Sequence, residues 1–477
     1  MLRKLPGSEV ENVVSTGPDT SVVFRPMVVR TPGIVFLVVH LWRLSVAIVK
    51  TVVRHPIACA VVGAVTASLY LLGWRATMAS LGVLAYVLLG WRALEPRSFA
   101  RFIAWPAVGW WRWMWIYRRK WRAVMAVTGL AQQVGGRRYL PDLVKVKSDR
   151  YMDMVTVKML SGQDVEAWAA RSGNLAHGFG AVSCRVSSPR PGRALLVFRR
   201  HDALAATVPA RPLPVKPSVG PVPVGLSEDG RAYRLRLHGT HVLIAGATGA
   251  GKGSWLWSAV RGLLPASKAG LVRLWALDPK RMELSYGRAL FHRYAAKPHD
   301  CALLLELAVE VMQERADRYA GVRRDHEATV EDPFIVVIVD EVAFLTAYQP
   351  DKQLRARIMA ALATLTTQGR AVGVCVLAAL QDPRKDVLSI RNLFPDRVAL
   401  RLDEPEQVDM VLGDGARDRG ALADQIPRDA DDPSVGAGVG YVRLENSPDP
   451  IRVRAAYVSD DDIKQMLLRY SAVGEAV

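Results

Sequence analysis

The chain has 477 residues, 50% of them hydrophobic, which is more than one ordinary domain needs and enough for two or three. A formal net charge of +18 suits a polyanionic partner or an anionic membrane surface, although a generally arginine-rich proteome would give the same balance. The four cysteines (Cys59, Cys184, Cys301, Cys375) lie far apart and form no CxxC, which argues against a zinc site or a disulfide framework and fits a reducing compartment.

The first thirty residues are polar and hold no apolar run ending in a small-residue cleavage site, so no secretory signal is expected. Residues 1–55 read as a cytoplasmic or interfacial segment. Its apolar part, Gly33 to Val53, contains His40, Arg43 and Lys50 and is interfacial or a weak span. Two charge-free stretches follow, Ile57 to Trp74 and Ala76 to Trp91, with only Arg75 between them. Each is at the short end of what a spanning helix needs. Arg54 and His55 precede the pair, and Arg92, Arg97 and Arg101 follow it. Positive flanks stay on the cytoplasmic side, so residues 56–92 read as a transmembrane hairpin in the cell membrane with both ends on the cytoplasmic side. A buried hairpin in a protein core is the alternative.

Residues 93–150 form a basic connector in which Trp105, Trp110, Trp111, Trp113, Trp115 and Trp121 alternate with Arg112, Arg118, Arg119, Lys120 and Arg122. This composition predicts an interfacial collar against membrane lipid. Residues 151–204 alternate short strand-like runs (Met154–Val157, Ala194–Phe198) with one helical run, Gln163 to Leu175, and predict a small α+β module. Residues 205–230, rich in proline and valine, read as an extended linker. From 231 to 465, buried strands are predicted at His241–Ala245, Leu271–Leu277, Phe334–Val339, Val372–Leu380 and Arg397–Leu402. Helices lie between them, such as Cys301 to Tyr319 with Asp300 as N-cap. Apolar strands alternating with helices predict a parallel sheet covered on both faces. Residues 466–477 are a tail.

Three motifs carry chemistry. Gly246-Ala247-Thr248-Gly249-Ala250-Gly251-Lys252 follows the strand Val242–Ala245 and precedes the helical run Trp255 to Leu264, the setting of a P-loop. Glycines let backbone N–H groups turn in around phosphates, the helix N-terminus adds positive potential, and Lys252 reaches the terminal phosphates. The next residue is normally Ser or Thr, whose hydroxyl binds Mg²⁺. Here it is Gly253, with Ser254 one place later. Either Ser254 reaches the metal through a shifted helix start or a water fills that place. The second motif is the apolar strand from Phe334 to Val339 running into Asp340-Glu341. Asp340 is placed to hold Mg²⁺ through water and Glu341 to act as general base on the attacking water. The third is Gln381 at the exit of the run Val376 to Leu380, the place of a γ-phosphate sensor. Together they predict an α/β, RecA-like P-loop NTPase core that uses ATP and Mg²⁺.

These segments together resemble the FtsK/SpoIIIE family of DNA translocases. Leu277-Asp278-Pro279-Lys280-Arg281-Met282-Glu283-Leu284 resembles the family's "DPK…EL" segment, and Pro333 to Leu345 its acidic strand end. Gly369-Arg370-Ala371-Val372-Gly373 with Ala379-Leu380-Gln381 resembles "RAAG…ATQ". Phe394 to Ala399 resembles "PTRIAF", and Ile451 to Asp460 the closing "VRVHGAFVSD". The match covers roughly 230 to 465. It implies a hexameric homo-oligomer with double-stranded DNA through the middle and ATP at subunit boundaries. An arginine from the neighbour, Arg370 or Arg397, would stabilise transition-state charge. Chromosome-segregating members usually carry more spans, a long linker and a C-terminal winged helix. This compact, arginine-rich version is more similar to the transfer proteins of actinobacterial conjugative plasmids and integrative elements. The competing readings are a chromosome-segregation motor, a type VII secretion-like ATPase that moves protein, a coupling protein that feeds single strands to a channel, and a nucleotide-binding scaffold whose hydrolysis is lost through Gly253.

Overall fold

A computed structural model describes residues 37–46, 56–134, 137–384 and 389–471. The expectations for residues 1–36, 47–55 and 472–477 lie outside the described residues. The chain divides into two compact units, Met1–Ala100 and Arg101–Val477.

In the first unit, Leu37–Val46 is a short apolar helix. Pro56–Leu94 is helical apart from Gly73, whose φ of 77° and ψ of 168° only glycine adopts readily. Ser68 and Thr77 hydroxyls meet at 2.9 Å across that break, and the Thr77 hydroxyl also donates to the Gly73 carbonyl. Within this segment, Gly63–Leu94 is long and apolar enough to cross a membrane, and Tyr70, Leu71, Trp74 and Tyr86 are exposed.

The second unit begins with helical turns through Trp105–Arg112, Trp113–Arg118 and Arg119–Val127. These pack on a four-stranded antiparallel sheet of β1 (Asp142–Ser148), β2 (Met152–Lys158), β3 (Ser183–Arg190) and β4 (Arg193–Arg199), in the order β1-β2-β4-β3. Tyr117, Trp121, Val124 and Met125 share one core with Val155, Phe179, Leu196 and Phe198. Buried Asp153 clamps the layers: it accepts from Arg112, Tyr117, Ser148 and Arg200 at 2.5–2.8 Å. The collar expectation is therefore corrected for part of the helix. Trp121 is core, and Arg112 is the partner of a buried carboxylate. Trp110, Trp111 and Trp115 remain about half exposed. The expected helix Gln163 to Leu175 is two pieces, Val165–Ala169, capped by Asp164, and Ser172–Phe179.

The main sheet has eleven strands: β5 (Val222–Ser227), β6 (Ala232–Leu235), β7 (Val242–Ala245), β8 (Val272–Leu277), β9 (Arg293–Ala295), β10 (Phe334–Val339), β11 (Val374–Leu380), β12 (Asp396–Leu400), β13 (Val439–Leu444) and β14 (Ser447–Tyr457), with Val208–Pro209 pairing β14. The order is β9-β8-β10-β11-β7-β12-β13-β14-β5-β6. From β9 to β12 every pairing is parallel, and the strands beyond are antiparallel except Val208–Pro209, which runs parallel to β14. The central parallel strands β7, β10 and β11 are apolar at every position because both faces are covered. Val242, Ile244, Phe334, Val336 and Ile338 pack into one core with α1 (Lys252–Lys268). Leu243, Ile335, Val337 and Val339 pack into the other with α2 (Pro298–Tyr319) and α3 (Lys352–Gln368).

Three expectations change here. Residues 205–230 are not a free linker: Val222 and Val224 alternate into the core from β5, and Pro223 sits at a register shift, where a missing N–H does least harm. Helix α2 starts at Pro298 after Lys297, so Asp300 lies in its first turn rather than at the cap. The final helix, α4 (Asp460–Tyr470), crosses the boundary expected at 465 and buries Met466.

Candidate nucleotide site

Parallel strands end their C-terminal edges together, and loops there form the usual ligand crevice of an open α/β sheet. β7 leads into the glycine loop, β10 into Asp340-Glu341, and β11, which lies between them in the sheet, into Gln381. Gly249, Lys252, Ser254, Glu283, Asp340 and Gln381 line one cleft of about 1000 Å³. The residues expected to bind phosphate, hold metal and sense the terminal phosphate are thus brought together.

The loop is held in shape by its surroundings. Gly249 and Gly251 have φ of 72° and 90°. A Cβ on Gly251 would lie 2.2 Å from the Gly438 nitrogen, whose N–H donates to the Ala250 carbonyl at 2.9 Å. Trp255 Nε1 donates to the Gly438 carbonyl at 3.0 Å, and Arg401 donates to the Thr248 carbonyl at 2.7 Å. Lys252 Nζ donates to the carbonyls of Gly246 and Ala247 at 2.7 and 3.2 Å, so the loop is closed on its own lysine. Burial lowers the Lys252 ammonium to about 8, against the raising pull of Glu341.

The acidic side is buried too. Asp340 is 8% exposed, and its carboxylate takes no hydrogen bond among the described residues. Burial, then Asp278 and Glu283, push it up to about 7. Glu341 is 1% exposed and held at both oxygens. Oε2 is 3.2 Å from Lys280 Nζ, and Oε1 accepts from the Gln381 N–H at 3.1 Å. The Thr248 hydroxyl is 3.5 Å from Gln381 Oε1, which ties the loop to the amide.

Helix α1 starts at Lys252, directly after Gly251. The shifted helix start considered for Ser254 is not seen; Ser254 lines the cleft from the first turn. The two arginine candidates lie elsewhere. Arg370 precedes β11, at the end of the sheet away from the loop, and Arg397 lies beside Leu243, roughly 10 Å before the loop by strand rise. Arg397 is buried and donates to the carbonyls of Phe394, Val411 and Asn392, so the expectation that it reaches a neighbour is corrected: its guanidinium is consumed inside its own chain. Arg370 is exposed and pairs with Glu445 at 2.7 Å.

Sequence reasoning missed Lys280, Glu283 and Arg401 as site residues. Asp278, fully buried, accepts from the N–H groups of Leu284 and Ser285, and this folds the turn that presents Glu283 to the cleft. The available signal was Gly253, an unusual residue at its place in the loop.

A phosphate-cradling loop facing an acidic pair and an amide on neighbouring parallel strands defines a P-loop nucleotide-binding protein. Residues 210–332 match the model of the FtsK/SpoIIIE family. The chain is similar to the DNA translocase FtsK of Streptococcus agalactiae serotype V, with 25% identity over 338 residues, covering 65% of this chain and 39% of that protein. To the DNA translocase FtsK of Lactococcus lactis subsp. lactis it is 26% identical over 339 residues, covering 65% and 42%. The chain spans about two fifths of the length of these relatives. Among solved structures it is similar to the pCW3 conjugation coupling protein TcpA (TM-score 0.48, 20% identity, 73% of this chain and 98% of that one). A second similarity is to the cytoplasmic domain of the Thermomonospora curvata type VII secretion ATPase EccC (TM-score 0.41, 21% identity, 56% and 32%).

Proposed function

We propose that this chain is a membrane-anchored ATPase that moves double-stranded DNA, with a RecA-like motor core and a role in conjugative transfer. The observation that carries the reading is the shared cleft of Lys252, Asp340 and Gln381, with Glu341 bonded to Gln381 beside it. Lys252 and the turned-in N–H groups bind the phosphates of ATP. Asp340 fits Mg²⁺, because a buried carboxylate without a hydrogen bond needs a cation; that ion would neutralise phosphate charge. Glu341, once released from Lys280, takes the proton of the attacking water. Gln381 contacts both the loop through Thr248 and the base through its N–H, so loss of the terminal phosphate is felt by both. Exposed Arg370 serves as the arginine donated to the next subunit of a hexamer.

The anchor follows from the first unit. Residues nine apart in a straight helix are separated by roughly 13 Å along its axis. The 2.9 Å contact between Ser68 and Thr77 supports a reversal at Gly73, and hence two passes with the motor in the cytoplasm. The net charge of +18 favours a polyanionic cargo.

The test is ATP turnover by the full chain in detergent, with duplex DNA, single-stranded DNA or none. Stimulation by duplex is the expected result. Stimulation by single strands alone supports a single-strand coupling protein, and no turnover at saturating DNA supports a scaffold.

A further inference from the structure

Gly253 occupies the position after the P-loop lysine, where a hydroxyl side chain would help hold the cation of the bound nucleotide. A Cβ built there would sit 2.1 Å from Glu283 Oε1 and 2.6 Å from its carboxyl carbon. The carboxylate of Glu283 therefore fills the volume that a serine or threonine side chain would need. It is brought there by the turn that Asp278 folds, not by helix α1. Facing it across the same cleft is Asp340, buried and without a hydrogen bond among the described residues. Two carboxylates beside a triphosphate would repel it unless a cation lay between them. Hard oxygen donors of this kind suit a small divalent ion.

We infer that Glu283 replaces the missing P-loop hydroxyl as a ligand of the divalent cation, so that Gly253 and Glu283 form one exchanged pair. This rests on the reading of the cleft as an ATP site. The consequence is a stronger dependence of nucleotide binding on the metal, because a carboxylate without its ion repels the phosphates whereas a hydroxyl does not.

The experiment measures the affinity of the full chain in detergent for a non-hydrolysable ATP analogue, with Mg²⁺ and with chelator. Glu283→Gln keeps the shape and removes the charge. It is expected to reduce the Mg²⁺ enhancement roughly 10- to 100-fold, the range seen when even the partners supporting a metal ligand are lost. It should also tighten binding in chelator. A purely structural role would weaken binding in both buffers alike. The double variant Gly253→Ser with Glu283→Ala restores a hydroxyl and clears the space for it; it should recover Mg²⁺ enhancement that Glu283→Ala alone lacks. An unchanged enhancement in Glu283→Gln overturns the inference while leaving the ATP site intact. Failure of the unaltered chain to bind the analogue in either buffer overturns the ATP reading itself.

Discussion

Replacing Asp340 by asparagine should stabilise the nucleotide-free protein, increasingly so as pH rises from about 4 to 7 and fully above that. The carboxyl is buried beside Asp278 and Glu283, and its midpoint rises from 3.8 to about 7. A group raised in the folded state favours folding while protonated, and that advantage is lost as pH climbs through the raised value. Above pH 7 the ionised carboxylate costs up to about 4 kcal/mol relative to the unfolded chain, at about 1.36 kcal/mol for each tenfold change in proton affinity. Relaxation and water entry reduce this to roughly 1–3 kcal/mol. A chain of this size shifts by about 2 °C per kcal/mol, so Tm should rise by about 2–6 °C at pH 8. At pH 5 the unfolded carboxyl is already ionised while the folded one is neutral, so roughly two fifths of the penalty remains and the Tm gain should be correspondingly smaller; the two proteins should melt together only below about pH 4. Thermal melts at both pH values, without nucleotide or metal, test this. A Tm gain of equal size at pH 5 and 8, or a loss at pH 8, refutes the argument that buried charge is strained in this cleft.

Lys252→Ala should weaken nucleotide binding by about 100-fold or more, and in wild type binding should fall above pH 8 as the ammonium, lowered to about 8 by burial, loses its proton; equilibrium binding of a fluorescent analogue checks both. Glu341→Gln keeps the oxygen that accepts from Gln381, so ATP should remain bound while turnover drops at least roughly 100-fold, measured by single-turnover hydrolysis. Arg397→Ala should lower stability by about 2–4 kcal/mol by leaving the buried carbonyls of Phe394 and Val411 without this donor. Arg370→Ala should leave the melting curve unchanged and remove turnover, an effect that mixing with Lys252→Ala subunits partly restores.

The parts legible in the sequence were those set by local pattern. Six apolar residues in a row from Phe334 to Val339 require cover on both faces, and the strand has those bounds. The glycine loop and the acidic pair were readable because their residue types permit few other uses. What stayed hidden depended on partners distant in the chain. Val222 and Val224 looked like linker because prolines surround them, and only pairing with β6 and β14 reveals a strand. Trp121 looked interfacial until Phe179 stood against it in the core. Arg397 resembled a reaching arginine, yet its charge meets carbonyls of its own chain. Gly253 was visible as an exception, but its cause, the carboxylate of Glu283, is thirty residues away and arrives through a turn that no periodicity encodes.

The most direct measurement is displacement of a third strand from a duplex by the full chain in detergent with ATP and Mg²⁺. Wild type should strip the triplex strand, and Glu341→Gln should bind the duplex without stripping it. Stripping by Glu341→Gln at the wild-type rate, or none by a wild type that hydrolyses ATP on duplex DNA, would contradict a motor driven from this cleft.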